Sequence, residues 1–175
     1  MKIIMDTEQI AAALAGLADR IIESGDNCAD ITVIGVRTRG EILAQRLTAI
    51  LSEKLGTEIA CGTLDITLYR DDINDPQGSS QPVVRSTEIQ FDIDGRIVIL
   101  VDDVLYTGRS ARAALDALID LGRPKAVRLA VLVDRGHHEL PIQADFAVQT
   151  IDIPAKQNVK VMMLEIDGTD QVIVE

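Results

Sequence analysis

The sequence predicts an α/β fold with a largely parallel central sheet, and three observations support this. The runs Ile31–Val36 and Ala126–Val133 are apolar without the alternation of a half-exposed strand, so both indicate strands buried on both faces. Segments of helical period separate these runs and can cover both faces of a sheet. The 175 residues, of which 47% are hydrophobic, suffice for one globular domain and fall short of two. We therefore predict a single domain over residues 1–175.

The first element is a helix that begins at Asp6 or Thr7 and ends at Gly25. Asp6 and Gln9 have the spacing of a capping box, in which each side chain accepts a hydrogen bond from the other residue's backbone. Apolar residues then follow at helical spacing: Ile10, Leu14, Leu17, Ile21 and Ile22.

A strand over Ile31–Val36 follows, and then a helix over Glu41–Leu55 that ends at Gly56. Glu58–Leu68 is predicted to be a strand, or a strand with a bend. The next segment, Asp71–Ser86, is rich in Asp, Pro, Gly and Ser and poor in apolar residues. We predict a long surface loop here, and long loops commonly act as lids or binding loops.

Two hairpins are predicted in the second half of the chain. Thr87–Phe91 and Arg96–Val101 form the first around a turn, and Lys160–Glu165 and Gln171–Val174 form the second around Asp167-Gly168. Between them the pattern predicts a helix and two strands: Ser110–Leu121, Ala126–Val133 and the short Phe146–Gln149.

Composition narrows the classes of function. The net charge of −11 argues against a nucleic-acid binder, because such proteins draw much of their affinity from basic residues that neutralise phosphates. No apolar run approaches the ~20 residues that span a bilayer, and no secretory signal precedes the first helix, so we expect a cytoplasmic protein without membrane contact. The two cysteines, Cys28 and Cys61, are expected to be free thiols.

The segment Val98–Ser110, VILVDDVLYTGRS, combines two kinds of ligand group in one short stretch. Asp102 and Asp103 directly follow a strand, where the ligand crevice of a parallel sheet lies. Thr107-Gly108-Arg109-Ser110 then precedes a helix, which offers backbone N–H groups, two hydroxyls and the positive helix end to an anion. Adjacent carboxylates suit vicinal hydroxyls and Mg²⁺, so a phosphorylated sugar fits both halves.

The alternative is that Asp102 and Asp103 only cap the loop and that Ser110 is only a helix N-cap. A lone Thr-Gly pair before a helix would favour that interpretation. Two acids at a strand end within one turn of chain from an anion cradle favour a binding site instead.

VILVDDVLYTGRS resembles the signature of type I phosphoribosyltransferases, which bind 5-phosphoribosyl-1-pyrophosphate (PRPP). The resemblance implies that Asp102 and Asp103 contact the ribose hydroxyls and act in catalysis. It also implies that Thr107–Ser110 holds the 5-phosphate, with Val104, Leu105 and Tyr106 completing the substrate-binding segment.

Further segments resemble one branch, the PyrR family of pyrimidine-operon regulators that are also uracil phosphoribosyltransferases. They are Gly35–Gly40 (GVRTRG), Leu64–Asp72 (LDITLYRDD), and Asp134–His137 (DRGH) with Glu139-Leu140-Pro141. The resemblance spans nearly the whole chain. It implies a type I phosphoribosyltransferase fold with a five-stranded core, a small hood and a C-terminal hairpin at about residues 160–174, in a homodimer or homotetramer.

The resemblance also assigns roles around the crevice. Thr38, Arg39 and Gly40 join a strand to a helix and would hold pyrophosphate, with Arg70 at the root of a flexible loop over about residues 71–86. Asp134 and Arg135 follow the strand Ala126–Val133 and would lie on the base side, Arg135 with a catalytic role. For Arg39 and Arg135 the alternatives are a solvated arginine and an ordinary ion pair. Mg²⁺ would be held mainly by the substrate, with help from Asp102 and Asp103.

Cations that PyrR proteins use to bind messenger RNA are scarce here. Arg20 is the only Arg or Lys in Thr7–Ser24, and His138, Gln143 and Gln149 stand where the family tends to carry arginines and a lysine. Each lost cation removes roughly one phosphate contact, so we expect weakened binding to RNA.

The predicted function is uracil phosphoribosyltransferase, making UMP and pyrophosphate from PRPP and uracil. The alternatives are an RNA-binding attenuator that senses UMP or UTP, and a purine-type phosphoribosyltransferase.

Overall fold

A computed structural model describes residues 2–71 and 84–175 of the chain. Most of the loop predicted over Asp71–Ser86 lies outside the described residues. The strands are β1 (Lys2–Met5), β2 (Ile31–Val36), β3 (Cys61–Leu64), β4 (Ile97–Leu105), β5 (Ala126–Asp134), β6 (Phe146–Thr150), β7 (Val159–Met162) and β8 (Gln171–Val174). The helices are α1 (Thr7–Glu23), α2 (Arg39–Leu55), α3 (Arg109–Leu121) and the short α4 (Leu164–Asp167). None of these helices is long and apolar enough to cross a bilayer.

The central sheet has five parallel strands in the order β3-β2-β4-β5-β6, which confirms the predicted fold class. From β2 the chain passes through α2 to β3 on one side of the sheet. From β4 it passes through α3 to β5 on the other side. The direction of winding therefore reverses between β2 and β4. In open α/β sheets, ligands bind at the carboxyl ends of the strands at such a reversal.

Buried side chains form a core on each face of the sheet. On one face α1 and α2 pack against the strands, with Ile10, Leu47 and Ile99 fully buried. On the other face α3 packs against alternate residues of the same strands, among them Val98 beside Ala113. Burial on both faces explains why β2 and β4 lack alternation, because neither face of either strand meets water.

The predicted ends of several elements are confirmed by specific contacts. The Asp6 carboxylate accepts a hydrogen bond from the Gln9 backbone at 2.9 Å, and the Gln9 side chain accepts one from the Asp6 backbone at 2.9 Å, which completes the capping box of α1. β2 has the predicted bounds, and α3 begins one residue earlier than predicted. α2 begins at Arg39 rather than Glu41, so the two residues before Glu41 belong to its first turn.

The hairpin predicted from Thr87–Phe91 and Arg96–Val101 is wrong. The turn exists, since the Asp92 carboxylate accepts a hydrogen bond from the Asp94 backbone at 2.8 Å. The strand after it, however, inserts between β2 and β5 as the central parallel strand. Thr87–Phe91 contributes only one antiparallel bridge, between Glu88 and Thr63 of β3. A strand as apolar as β4 must be covered on both faces, and this requirement prevails over the local turn.

The two terminal segments of the chain meet in a small antiparallel sheet of order β1-β8-β7. We call β1, β7, α4 and β8 the hood. The predicted pairing of the last two strands is confirmed, but the first of them ends at Met162, because α4 begins at Leu164. β1 was not predicted. The strand predicted over Glu58–Leu68 is shorter and covers only Cys61–Leu64.

Candidate active site

Two adjoining clefts lie at the winding reversal between β2 and β4. The larger, of about 250 Å³, is lined by the segment after β2, the segment after β3 and the end of β4. The smaller, of about 120 Å³, is lined by the end of β4 and the start of α3. Asp102, Val104 and Ser110 line both clefts. A single ligand can therefore extend from one cleft into the other past the acidic pair.

The loop Tyr106–Gly108 turns the chain from β4 into α3. Gly108 adopts the left-handed conformation with φ 88°, which favours glycine. The Thr107 carbonyl accepts hydrogen bonds from the backbones of Glu139 at 2.9 Å and Leu140 at 3.1 Å, so the chain after β5 braces the loop. The loop thus presents the first N–H groups of α3 and the Ser110 hydroxyl to the smaller cleft, which is a suitable cradle for a phosphate.

The Arg109 side chain is half-exposed and paired with two carboxylates. Its Nε donates to Glu139 at 2.9 Å and its Nη1 donates to Asp71 at 2.7 Å. These contacts tie the start of α3 to the base of the long acidic loop and to the chain after β5. The Arg109 side chain is therefore engaged within the fold, and its backbone N–H makes only a long hydrogen bond of 3.4 Å to the Thr107 hydroxyl.

Asp102 and Asp103 lie where β4 extends past its neighbour, since the pairing of β4 with β2 ends at Val101. Each carboxylate accepts a hydrogen bond from the next backbone N–H, Asp102 from Asp103 at 2.9 Å and Asp103 from Val104 at 2.8 Å. Burial, together with the charge of Asp103, raises the pKa of Asp102 well above that of an ordinary carboxyl. A cation or hydroxyl ligand would relieve this repulsion.

The first turn of α2 lies directly against the acidic pair. A Cβ atom placed on Gly40 would lie 2.5 Å from the Val101 carbonyl oxygen and 3.1 Å from the Asp102 Cα. Only a glycine allows the two backbones to come this close. The segment Arg37–Gly40, which includes a cis peptide bond between Arg37 and Thr38, is thus fixed beside the end of β4.

Three predicted pyrophosphate residues, Thr38, Arg39 and Arg70, line the larger cleft together with Asp102 and Asp103. The structure therefore brings the predicted pyrophosphate and ribose residues together. Arg37, which also lines this cleft, donates to Glu41 at 3.2 Å, to Glu88 at 3.0 Å and to the Ser86 carbonyl at 2.8 Å. Arg37 therefore joins Ser86 and Glu88 to Glu41 in the first turn of α2.

Arg135 is only 4% exposed, and its guanidinium lies 3.8 Å from the centre of the Tyr106 ring. Its Nε and Nη2 have no hydrogen-bond partner within residues 2–71 and 84–175. Unsatisfied buried donors on a charged group are costly, so water or a ligand is expected to complete them. Arg135 lines neither cleft, but its guanidinium lies over the ring of Tyr106, which lines the smaller one, so Arg135 remains a candidate for ligand contact.

The Asp134 carboxylate, in contrast, is occupied by its own turn. It accepts hydrogen bonds from the Gly136 backbone at 2.9 Å and from the His138 ring at 2.9 Å. His137 contacts the Ile153 carbonyl at 3.0 Å instead. Of the two base-side residues, Arg135 has hydrogen-bond donors without partners among the described residues, whereas the Asp134 carboxylate is engaged. The adjacent histidines serve local structure, and in the described ranges no cluster of three or more His, Cys, Asp or Glu could hold a metal ion.

Sequence reasoning missed the ion pair that Arg39 makes in this site. The Arg39 guanidinium donates to both carboxylate oxygens of Asp167, at 3.1 and 3.3 Å. Asp167 was predicted as part of a hairpin turn only. The hood lies far along the chain from α2, and no local pattern in the sequence marks an acid that will meet a distant arginine. Asp65 and Thr67 also line the larger cleft. Both belong to Leu64–Asp72, one of the segments that resemble the PyrR family.

Comparisons with known proteins agree with this geometry. The family model for the phosphoribosyl transferase domain matches residues 1–166. The Bifunctional protein PyrR of Deinococcus radiodurans is 53% identical over 167 residues, covering 95% of this chain and 90% of the relative. The Bifunctional protein PyrR of Thermus thermophilus is 48% identical over 169 residues, covering 97% and 92%. That of Pelotomaculum thermopropionicum is 47% identical over 171 residues, covering 98% and 93%.

Solved structures share the fold at low identity. A hypoxanthine phosphoribosyl transferase of Trypanosoma cruzi superposes with a TM-score of 0.73 at 18% identity, over 99% of this chain and 90% of that one. An HGPRT-ase of Leishmania tarentolae in complex with GMP superposes with a TM-score of 0.71 at 15% identity, over 99% and 95%. At these identities the likeness extends to the fold alone.

Proposed function

The chain belongs to the phosphoribosyltransferase family and, within it, to the PyrR proteins, and on that premise we propose that it transfers ribose phosphate from PRPP to uracil, giving UMP and pyrophosphate. The observation that carries the proposal is the meeting of two clefts at the acidic pair. One cleft is lined by a phosphate cradle at a helix start and the other by arginines. PRPP has an anion at each end and hydroxyls between, and so matches this layout.

PRPP is placed by matching its groups to the site. The 5-phosphate lies on the N–H groups and hydroxyls of Thr107–Ser110. The ribose hydroxyls donate to Asp102 and Asp103. The pyrophosphate extends into the larger cleft, where Thr38–Gly40 supplies backbone N–H groups and Arg39 and Arg70 supply charge. The reacting C1 atom then lies where the two clefts join.

The reaction breaks the bond between C1 and pyrophosphate, so positive charge develops on the ribose and negative charge on the leaving group. Catalysis consists mainly of positioning and of stabilising both charges. The carboxylates of Asp102 and Asp103 face the ribose, and the cations of the larger cleft face the leaving group. Burial and the charge of Asp103 raise the pKa of Asp102, so a cation or hydroxyl donor bound here would help to keep both carboxylates ionised.

Phosphoribosyltransferases generally use Mg²⁺ with PRPP. The donor set fits an ion held mainly by substrate oxygens, because the cleft offers two adjacent carboxylates, Asp102 and Asp103, and the described residues offer no larger acidic cluster. When bound, Mg²⁺ neutralises the leaving pyrophosphate. Asp102 and Asp103 would hold it directly or through water.

The base side is proposed to be formed by Arg135, Tyr106 and the chain around Asp134. Arg135 has two buried donors without partners among the described residues, and its guanidinium lies 3.8 Å from the centre of the Tyr106 ring. Backbone groups supply the remaining recognition, because the Asp134 carboxylate is already engaged by Gly136 and His138.

The proposed function is tested by incubating the protein with PRPP, Mg²⁺ and, in separate reactions, uracil, hypoxanthine or guanine. We expect UMP and pyrophosphate with uracil and no nucleotide above background with either purine. Nucleotide formation from hypoxanthine or guanine in place of uracil would instead identify a purine-type enzyme. Absence of product with all three bases would contradict the proposal altogether.

Its relatives are named bifunctional, and we propose that any RNA-binding activity is weak in this chain. Arg20, the only basic residue in Thr7–Ser24, donates to the Ala147 carbonyl at 2.7 Å and lies over the Phe146 ring, so its guanidinium is engaged within the fold. His138 is likewise engaged within the fold, because its ring contacts the Asp134 carboxylate. With several phosphate contacts missing, affinity for RNA at cellular salt falls by orders of magnitude.

A filter-binding titration against a pyrimidine-leader RNA, with and without UMP, tests this expectation. We expect binding no tighter than to an unrelated RNA of equal length, and no response to UMP. Tight binding that UMP strengthens would contradict the expectation and assign the chain a regulatory role.

We further propose that the protein is a homodimer or homotetramer. Light scattering on the protein alone tests this proposal.

A further inference from the structure

The hood is attached to α2 by two arginines. Arg39 donates from Nη2 to both oxygens of Asp167, and Arg46 contacts Glu165 at 2.7 Å and Asp170 at 2.8 Å. Arg39 lines the larger cleft, whereas Arg46 does not. Two arginines of one helix therefore make three ion pairs with the same short segment of the hood, and of these arginines Arg39 alone lines the candidate active site.

The Asp167 carboxylate is held in place by a backbone hydrogen bond in addition to its pairing with Arg39. Its Oδ2 accepts the Met163 backbone N–H at 2.9 Å, and the Met163 side chain is fully buried. The hydrogen bond from Met163 and the charge of Arg39 lower the pKa of Asp167, although burial opposes the shift. A lowered pKa keeps the carboxylate ionised at neutral pH, and the ion pair is lost only as the pH falls through that value.

The Arg39 guanidinium keeps one donor that the pairing with Asp167 does not use. Its Nε is buried and has no hydrogen-bond partner within residues 2–71 and 84–175. The Asp167 side chain is 15% exposed and the Arg39 side chain 29%, so the pair is sheltered from water on most sides. Because a guanidinium is planar and rigid, fixing one nitrogen fixes the direction of the others.

We propose that Asp167 is a positioning residue that holds the Arg39 guanidinium toward the pyrophosphate of PRPP. The inference rests on the proposed function. Asp167 lies outside both clefts, yet it orients the arginine that binds the leaving pyrophosphate. The hood contributes to substrate binding in this way without touching the substrate. Glu165, which binds Arg46 in the same segment, provides the matched comparison.

The test measures binding before turnover. Titration calorimetry with pyrophosphate and Mg²⁺ is run on the parent, Asp167→Asn and Glu165→Gln. We expect affinity for pyrophosphate to fall about tenfold in Asp167→Asn, the lower end of the range for residues that orient a binding group. Glu165→Gln is expected to bind like the parent. Asp167→Glu, which keeps the charge and shifts the carboxylate by one methylene, is expected to fall between them.

Kinetics then separate positioning from a general structural role. In Asp167→Asn we expect the KM for PRPP to rise about tenfold, with kcat and the KM for uracil within about twofold of the parent. In an Arg39→Gln background, Asp167→Asn is expected to change pyrophosphate affinity no further.

Parent-like pyrophosphate affinity in Asp167→Asn would overturn the inference. An equal loss in Glu165→Gln would also overturn it, because the effect would then belong to attachment of the hood. A parent protein that binds neither pyrophosphate nor PRPP would instead refute the proposed function, and the inference with it.

Discussion

Asp103→Asn is expected to lower kcat/KM for PRPP by about two to three orders of magnitude while leaving the fold intact. The substitution keeps the shape of the side chain, and the amide oxygen can still accept the Val104 N–H that now binds Asp103. It removes a negative charge from the larger cleft, next to Asp102 at the junction of the two clefts, where the ribose is proposed to acquire positive charge in the transition state. Loss of one electrostatic group at such a place typically costs about 10²–10³ in rate.

Steady-state kinetics with uracil, together with a thermal melt of each protein, measure this effect. Asp116→Asn is the matched control. Asp116 lies on α3, is about half exposed and, among the described residues, has its ion pair with Arg112 on its own helix, so its loss is expected to leave kcat/KM unchanged. Equal kcat/KM in Asp103→Asn and the parent would exclude Asp103 from the reaction. Equal losses in both variants would point to the overall charge of the protein instead.

Much of this site could be predicted because its parts are contiguous in the chain. The acids, the loop and the helix start all lie within Val98–Ser110, so their relation depends on one strand, one turn and one helix. Parallel pairing then brings the segment after β2 to the same edge of the sheet. Both steps follow from local pattern and from the geometry of α/β sheets.

The errors arise where a distant partner decides the outcome. Thr87–Phe91 has the alternation and the following turn of a hairpin strand, yet it lies at the edge of β3 because β4 has to fill the centre of the sheet. β1 consists of four residues and exists only because β8 pairs with it. Neither position can be read from the residues of the segment itself.

The same limit applies to the arginines of the site. Their sequence positions indicated cations for phosphates, but the structure shows Arg39 on Asp167, and Arg109 on Asp71 and Glu139. In a chain of net charge −11, an arginine meets carboxylates from several distant segments. For Arg109 the result is a side chain engaged within the fold. For Arg39 the acid orients the group.

Gly35 and Gly40 allow close backbone approaches at the first turn of α2, and neither position has room for a side chain. The first turn of α2 is wedged between the ends of β2 and β4. A Cβ on Gly35 would clash with the Gly40 carbonyl oxygen, and a Cβ on Gly40 would lie 2.5 Å from the Val101 carbonyl oxygen. In both cases the nearest atom belongs to a backbone and cannot rotate away. A side chain at Gly40 therefore has to move the pyrophosphate segment away from Asp102.

Gly40→Ala is expected to lower kcat/KM for PRPP about 100-fold, because a displacement near 1 Å at a reacting centre costs about that much. It is also expected to lower the free energy of unfolding by about 1–3 kcal/mol through overpacking. Gly16→Ala is the control: Gly16 lies in α1 with nothing within 4 Å of a Cβ, so unfolding free energy should rise by up to about 1 kcal/mol at constant activity. Urea unfolding and PRPP kinetics measure both, and parent-like kinetics in Gly40→Ala would show that the two backbones separate without cost to the site.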